Sequence, residues 1–350
     1  MKKVLVTGSG TGFGHEVAMR LAEKGFEVIA AVGIWAQVQT LKRQAAGRGV
    51  CLQVEKLDVT DAGDRKKALK WDVEILVNNA GVGEGGSTLD IPAGNIRRQF
   101  EVNVIGPLLL TQGIAKQMVE RGEGRIVWVS SREGLNVNPF TGIYAASKHA
   151  VEAIAETMAN ELQEFNIEVA TVNPGPFLTG FNDRMFQTWQ SWEDDGSDRL
   201  FDYSKLAFPR AQFDPEPVYA TMTAVAAGAI DTYRNLETKS MIDETKRLIG
   251  LGGRPPAIRC RLRSPQELRH PPNPNRRARS AASSARGPLA PSRSTRLSPP
   301  SAAPSEAKRQ NASEDHQRCG TRSGPKMWPW LGSEWCSSCR KCPAYQTTMS

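Results

Sequence analysis

Short apolar runs alternate along the first two thirds of the chain with longer stretches in which apolar residues recur three and four positions apart. The first pattern is that of strands buried on both faces, the second that of helices with one face against a core. Strands are predicted over residues 3–6, 28–32, 52–56, 75–78, 125–129 and 168–172. Val17, Ala18, Leu21 and Ala22 mark a helix after the first strand. Val151, Ile154, Met158, Leu162 and Phe165 form one stripe on a helix over residues 144–165. Another helix is predicted over 96–121 and should be distorted around 103–107, because Pro107 has no N–H to give to the carbonyl one turn back. Between Asp58 and Ile75 there is room for about one short helix. This alternation predicts an α/β fold, a doubly wound, mostly parallel sheet with helices on both faces. Residues 177–213 have no regular period and read as a mobile loop. Residues 234–249 read as a last helix bearing Met241, Ile242, Leu248 and Ile249, with no closing strand after it.

Composition changes the picture near residue 250. The whole chain has a net charge of +8, yet residues 251–350 hold 15 Arg and 3 Lys against 4 Glu and 1 Asp. The tail is thus +13 and residues 1–250 are −5, so the basic character belongs to the tail. The tail also holds 14 of the 22 prolines and 5 of the 6 cysteines. Text rich in Arg, Pro, Ser and Ala cannot bury enough apolar surface to offset its ordering entropy. One domain is therefore expected over residues 1–250, ample for a single α/β core, followed by a disordered tail over 251–350. Such text is also what GC-rich coding sequence yields out of frame, so a frame shift near Gly250 is expected. Translating the encoding DNA in all frames tests it.

The tail's arginines predict non-specific electrostatic stickiness and no specific nucleic-acid site, since no aromatic residue is interleaved with them before Trp328. Cys336, Cys339 and Cys342, with Cys319, approach metal-ligand spacing, but no fourth cysteine follows at a fitting distance and no metal is assigned. Lys2 and Lys3 precede an apolar stretch that ends at Thr7, too short for a leader. No run approaches the roughly 18 apolar residues of a membrane span. Cys51, the single thiol before residue 250, lies in a strand-like segment and reads as a buried, reduced core thiol. These features predict a cytoplasmic protein without membrane attachment.

Two local patterns carry chemistry. Thr7, Gly8, Gly12, Phe13 and Gly14 form a T-G-x-x-x-G-x-G turn between the first strand and the first helix. That order puts free backbone N–H groups at a helix N-terminus, where a pyrophosphate binds, and the glycines let it come close. Tyr144 and Lys148 stand four apart, sharing one helix face, 13 residues after Ser131. A free phenol titrates near 10, and a neighbouring ammonium favours the phenolate and pulls that value down toward neutrality. A chance Tyr-x-x-x-Lys, a strand-ending serine pair and a packing tyrosine are the bland alternatives for each feature taken alone. His15, His149 and the Arg97–Arg98 pair read as solvated helix positions.

Five motifs stand in one order: the glycine turn, Asp58-Val59, Asn78-Asn79-Ala80-Gly81, Ser131 with Tyr144 and Lys148, and Asn173-Pro174-Gly175. In that order they resemble the short-chain dehydrogenase/reductase family, in its single-domain oxidoreductase branch, over residues 1 to about 235. The resemblance implies a Rossmann-like fold and an NAD(P)-dependent oxidoreductase acting on an alcohol or ketone. It implies Tyr144 as acid/base, Ser131 (chosen over Ser130 by the S-S-x-x-G match ending at Gly134) polarising the carbonyl oxygen, and Lys148 lowering the tyrosine pKa and binding the nicotinamide ribose. Asn103 would hold a water leading to Lys148. For the cofactor it implies contacts from Thr7, Gly8, Gly12, Phe13, Gly14, Tyr144 and Lys148. Asp58 would meet the adenine, and Asn78, Asn79, Ala80 and Gly81 the adenosine. Pro174, Gly175 and Thr179 would lie at the nicotinamide end. No carboxylate follows the second strand, where Ala31, Val32 and Gly33 stand, and no arginine replaces it. NAD and NADP both remain open, with a lean to NADP because nothing repels a 2′-phosphate. Phe181, Met185, Phe186, Trp189 and Trp192 could form an apolar lid for substrate. Relatives commonly form homodimers or homotetramers through helices matching 96–121 and 144–165. The alternative is a catalytically silent, dinucleotide-sensing or scaffolding protein on the same fold.

Overall fold

Alternation of side chains on the central strand builds two cores at once. On β1 (Lys3–Val6), Val4 and Val6 point to one face and Leu5 to the other, all fully buried. In the computed structural model, which describes residues 1–237 together with 242, 243 and 245, β1 lies inside a seven-stranded parallel sheet. The other strands are β2 (Glu27–Val32), β3 (Gln53–Lys56), β4 (Ile75–Asn78), β5 (Gly124–Val129), β6 (Ile167–Pro174) and β7 (Arg234–Glu237), in spatial order β3-β2-β1-β4-β5-β6-β7. The chain order reverses between β1 and β4, with Val4 opposite Ile75 and Val6 opposite Val77. Such a reversal opens a crevice at the carboxyl ends of the strands.

Helices cover both faces. Helices α1 (Gly12–Glu23), α2 (Trp35–Arg48) and α8 (Glu216–Ala226) pack Val17, Leu21, Leu41 and Val225 against one face. On the other, α3 (Ala62–Ala68), α5 (Gly106–Arg121) and α6 (Gly142–Leu162) bring Ala68, Leu110, Ile114 and Val151 onto Leu5, Leu76 and Trp128. Between α4 (Ala93–Phe100) and α5, residues Glu101–Ile105 form a single π-helical turn. Here Gly106 N–H donates to Glu101, five residues back. This is the distortion expected from Pro107, placed one turn before it.

Four expectations are corrected. Cys51 is exposed: the third strand begins at Gln53, so Cys51 belongs to the loop before it. Residues 177–213 are organised by aromatic burial, which has no period. They hold α7 (Phe181–Met185), turns at Thr188–Ser191 and Tyr203–Lys205, and a bridge from Phe177 to Phe213. Trp192 and Tyr203 are buried at ring centroids 5.2 Å apart, and Trp192 donates to Glu84 at 2.7 Å. Residues 234–237 are strand and not helix, paired with 171–174 of β6. The closing strand is therefore present, and the sheet does not end at β6. Arg234 is held by Glu152 of α6 at 3.0 Å, a pairing that no local pattern reveals. Of the other residues of that expected helix, only 242, 243 and 245 are described, and they are helical. The tail over 251–350, with its cysteines and Trp328, lies outside the described residues.

Candidate active site

A groove of about 490 Å³ crosses the carboxyl ends of the strands from the glycine turn to the segment around α7. At one end it is floored by Gly8, Gly10, Gly12 and Phe13. Gly8 takes φ +68°, and a Cβ there would stand 2.7 Å from the Ala80 Cα. Thr7 Oγ1 accepts the N–H groups of Asn79 and Ala80 at 3.0 Å, and Asn79 Nδ2 donates to Thr7 O at 2.8 Å. The glycine turn and the end of β4 are thus one rigid unit. Thr11 caps α1 without a side-chain hydrogen bond, and no acidic residue occupies the first turn. The first N–H groups of α1 are therefore open to a diphosphate, and the residues present fit one. Across the groove, a Cβ on Gly12 would come within 3.9 Å of Thr179.

Asp58, Asn79, Ala80, Gly81, Pro174, Gly175 and Thr179 all line the groove, as do Thr11, Gly33 and Ile34. Three expected contacts do not reach it. Thr7 is fully buried, its hydroxyl oxygen taken up by the Asn79 and Ala80 N–H groups. Asn78 turns inward and donates to Thr111 at 2.8 Å. Gly14 serves packing, since a Cβ there would run into Asn79 Nδ2 and meet Gly8 O at 2.7 Å.

At the other end, β5 delivers Ser131 and α6 delivers Tyr144 and Lys148 to the same wall. All three are buried. Lys148 Nζ donates to Val129 O at 2.8 Å and lies 5.8 Å from the centre of the Tyr144 ring. Burial pushes the Tyr144 phenol up; the Ser131 hydroxyl pulls it back and the Glu133 carboxyl opposes that. The expected lowering of the phenol by Lys148 is not found here: burial dominates and the pull downward comes from Ser131. Burial also draws the lysine down to about 8, with Glu152 acting against it. The two serines differ in surroundings: Ser131 faces Tyr144, whereas the Ser130 hydroxyl is enclosed and has no partner in the described structure.

Lys148 gives a testable pH dependence. Below about pH 8 the amine is charged in folded and unfolded protein alike, and its burial costs stability. Between about 8 and its ordinary 10.5 the folded protein has shed the proton and the unfolded chain has not, so this contribution rises with pH. Urea unfolding of wild type and Lys148→Met at several pH values across that window should show the difference narrowing or reversing in favour of lysine. A pH-independent difference would contradict the burial argument.

Asn103 sits in the π turn and is buried, but its amide is committed: Oδ1 accepts Val82 N–H at 2.8 Å, and Nδ2 donates to Val82 O at 2.9 Å and Ser147 at 3.1 Å. Its carbonyl is the group that lost a helical donor to Pro107. Gln99, one turn earlier on α4, grips the same loop through Val82 O and Glu84 N–H, both at 2.7 Å. The two amides at i and i+4 were a visible but unused signal. Sequence reasoning also missed Gln37, whose amide covers Gly10 (a Cβ there would meet it at 2.5 Å), and Glu133 and Asn138 beside Ser131. Arg98 lines the groove and is more than a solvated helix position. The substrate end has an apolar wall of Phe181, Met185, Phe186 and Phe208, with Tyr144 in the same cluster, while Asn138, Thr141, Arg184 and Arg210 also line the groove.

Residues 2–190 match the family model described as short chain dehydrogenase. The chain is 36% identical over 189 residues to the uncharacterized oxidoreductase YbbO of Escherichia coli (strain K12), which covers 53% of this chain and 70% of that protein. It is 34% identical over 205 residues to retinol dehydrogenase 8 of Homo sapiens, covering 56% and 66%. The matches therefore span about two thirds of these relatives. Among solved structures, a short-chain dehydrogenase from Streptomyces avermitilis superposes with a TM-score of 0.59 at 26% identity, covering 71% of this chain and 92% of that one. With the glycine turn, the parallel sheet and the Ser131, Tyr144 and Lys148 wall, these matches establish that the chain belongs to the short-chain dehydrogenase family of NAD(P)-binding oxidoreductases.

Proposed function

We propose that the protein interconverts an apolar alcohol and its ketone or aldehyde using NAD or NADP, with Tyr144 as the acid/base. The observation that carries this reading is the convergence of Ser131, Tyr144 and Lys148 on the wall of one groove whose other end is the glycine turn. The bound nicotinamide cofactor would supply or accept the hydride. The chain's own residues do the rest. The open N–H groups of α1 hold the diphosphate, Asp58 and Asn79 to Gly81 hold the adenosine, and Thr179 closes the far wall. Asp58 is itself fixed, its Oδ1 accepting Thr60 N–H at 2.9 Å. The Ser131 hydroxyl points a donor at the substrate oxygen, where charge develops. Tyr144 gives that oxygen its proton in reduction and takes it in oxidation. Lys148 orients the ribose and returns the proton, with the Asn103 carbonyl as the next station.

The preference for an apolar substrate rests on Phe181, Met185, Phe186 and Phe208, and on the similarity to a protein named retinol dehydrogenase. A silent sensor has no need of a buried tyrosine with a serine hydroxyl aimed at it. Between the cofactors we favour NADP, since Gly33 and Ile34 offer no carboxylate against a 2′-phosphate and the Gln37 amide can donate to one. We further propose that the catalytic domain ends by residue 250. A cytoplasmic homodimer or homotetramer through α4, α5 and α6 is part of the same reading. Ile105 in the π turn, Leu109 on α5 and Phe165 just beyond α6 stand 40%, 44% and 39% exposed, and no described helix is long and apolar enough to cross a membrane.

The test is a screen of NADH and NADPH oxidation against short aliphatic, cyclic and aryl ketones. Activity should favour the larger apolar ketones and NADPH. Turnover with none of them and with no matching alcohol in the reverse direction would count against the assignment.

A further inference from the structure

The turn between Ser131 and the helix of Tyr144 carries a carboxyl group that the reaction above does not use. Glu133 follows Ser131 by two residues, lines the groove, and its N–H donates to the Ser131 hydroxyl oxygen at 3.1 Å. Asn138 Nδ2 donates to Glu133 Oε1 at 2.5 Å. Thr141, the residue capping α6, has its hydroxyl oxygen 2.8 Å from Glu133 Oε2 and 2.9 Å from the Asn138 carbonyl. The Thr141 carbonyl in turn accepts Ala145 N–H at 2.7 Å, in the first turn of the helix beside Tyr144.

The backbone within this loop is strained. Phe140 takes φ +65°, a conformation that a bulky L-residue keeps only when its surroundings impose it. Its carbonyl accepts Gly86 N–H at 2.8 Å and its ring packs edge-on to Phe201 at 5.2 Å. On either side, Asn138, Pro139 and Thr141 line the substrate end of the groove.

Counting protons identifies the working form of the carboxyl. The Thr141 hydroxyl has one proton and two acceptors if Glu133 is ionised, so one short contact is left without a hydrogen. If Glu133 carries a proton, it donates to the Thr141 oxygen, Thr141 donates to the Asn138 carbonyl, and every contact is satisfied. We propose that Glu133 is a positioning residue which, as the neutral acid, braces Asn138 and Thr141 against Ser131. It thereby holds the strained turn that forms the chamber rim and sets the start of the Tyr144 helix. Burial pushes this carboxyl up, against the pull of Thr141, Asn138, Arg132 and Arg210. The Tyr144 phenol, on α6, also feels it. The brace rests on the proposed reaction only in that the chamber it shapes is the substrate's.

Glutamine separates this from a generic structural role. Its oxygen accepts from Asn138 and its amide donates to Thr141, so Glu133→Gln copies the neutral acid and cannot ionise. The probe is 2-acetylnaphthalene, bound to the full-length protein without cofactor and followed by quenching of tryptophan fluorescence as pH is raised. Wild type should lose affinity, on the order of 10-fold, as Glu133 ionises. Glu133→Gln should bind like low-pH wild type throughout, and Glu133→Ala should bind weakly at every pH. Lys148 and Tyr144 titrate in both wild type and Glu133→Gln, so the contrast between these two isolates Glu133 and decides the matter even if the alanine variant does not fold. Identical pH dependence in wild type and Glu133→Gln, or weak binding by Glu133→Gln at all pH values, would overturn the brace. Because no turnover is read, tight binding with this pattern but without hydride transfer would sink the oxidoreductase reading and leave the brace standing.

Discussion

Replacing Tyr144 by phenylalanine is expected to abolish ketone reduction while leaving the fold and cofactor affinity nearly unchanged. The phenol is buried with its hydroxyl facing Ser131, and the substitution removes only that oxygen. The aromatic packing against Phe181, at a centroid distance of 5.7 Å, is retained. A positioned general acid contributes about 10²–10⁴-fold, so kcat should fall by at least that factor. KM and the Kd for NADPH should change little. Steady-state kinetics and a fluorescence titration of NADPH check both halves. Activity within a few-fold of wild type across the ketone panel would remove Tyr144 from the chemistry.

The second large effect is expected at Gly8. Alanine there would take φ +68° and place its Cβ 2.7 Å from the Ala80 Cα, a backbone atom that cannot swing aside. The conformational cost alone is about 1–3 kcal/mol. The clash would also push apart the glycine turn and the end of β4, which Thr7 and Asn79 hold together. Gly8→Ala should therefore lower the melting temperature and lose most NADPH binding, seen as the absence of a cofactor-induced rise in Tm. A variant that melts like wild type and is still stabilised by NADPH would show that the turn yields more easily than its geometry implies.

Most of the sheet was legible because a parallel strand buried on both faces is an unbroken apolar run, as at residues 4–6 and 75–77. The break between α4 and α5 was legible as a distortion because Pro107 lacks a donor; that it takes the form of a π turn was not. What stayed hidden depends on partners distant in sequence. Residues 234–237 have no apolar run: Arg234 and Glu237 flank Asn235 and a single apolar residue, Leu236, and the strand is held by β6 and by Glu152. The segment 177–213 is ordered through aromatic contacts that follow no period. Cys51 was misplaced because the strand-like run around it was read as sheet, whereas β3 starts only at Gln53 and leaves the thiol in the exposed loop before it. Within the site, the residue types and their order pointed to one groove. The electrostatics did not follow from spacing, since Tyr144 and Lys148 are both dominated by burial that only the packed structure reveals. Glu133 passed unnoticed because a single acidic residue in a loop has no signature until Asn138 and Thr141 fold back onto it.

The central claim is that this groove transfers hydride between a nicotinamide and a carbon bearing oxygen. The most direct measurement supplies wild type and Tyr144→Phe with NADPH deuterated at C4 of the nicotinamide, on each face in turn, and with 2-acetylnaphthalene, then analyses the product alcohol by mass spectrometry. Wild type should place deuterium on the carbinol carbon from one face only, and Tyr144→Phe should form essentially no labelled alcohol. Cofactor binding without label in any product, or equal labelling by both proteins, would contradict the account.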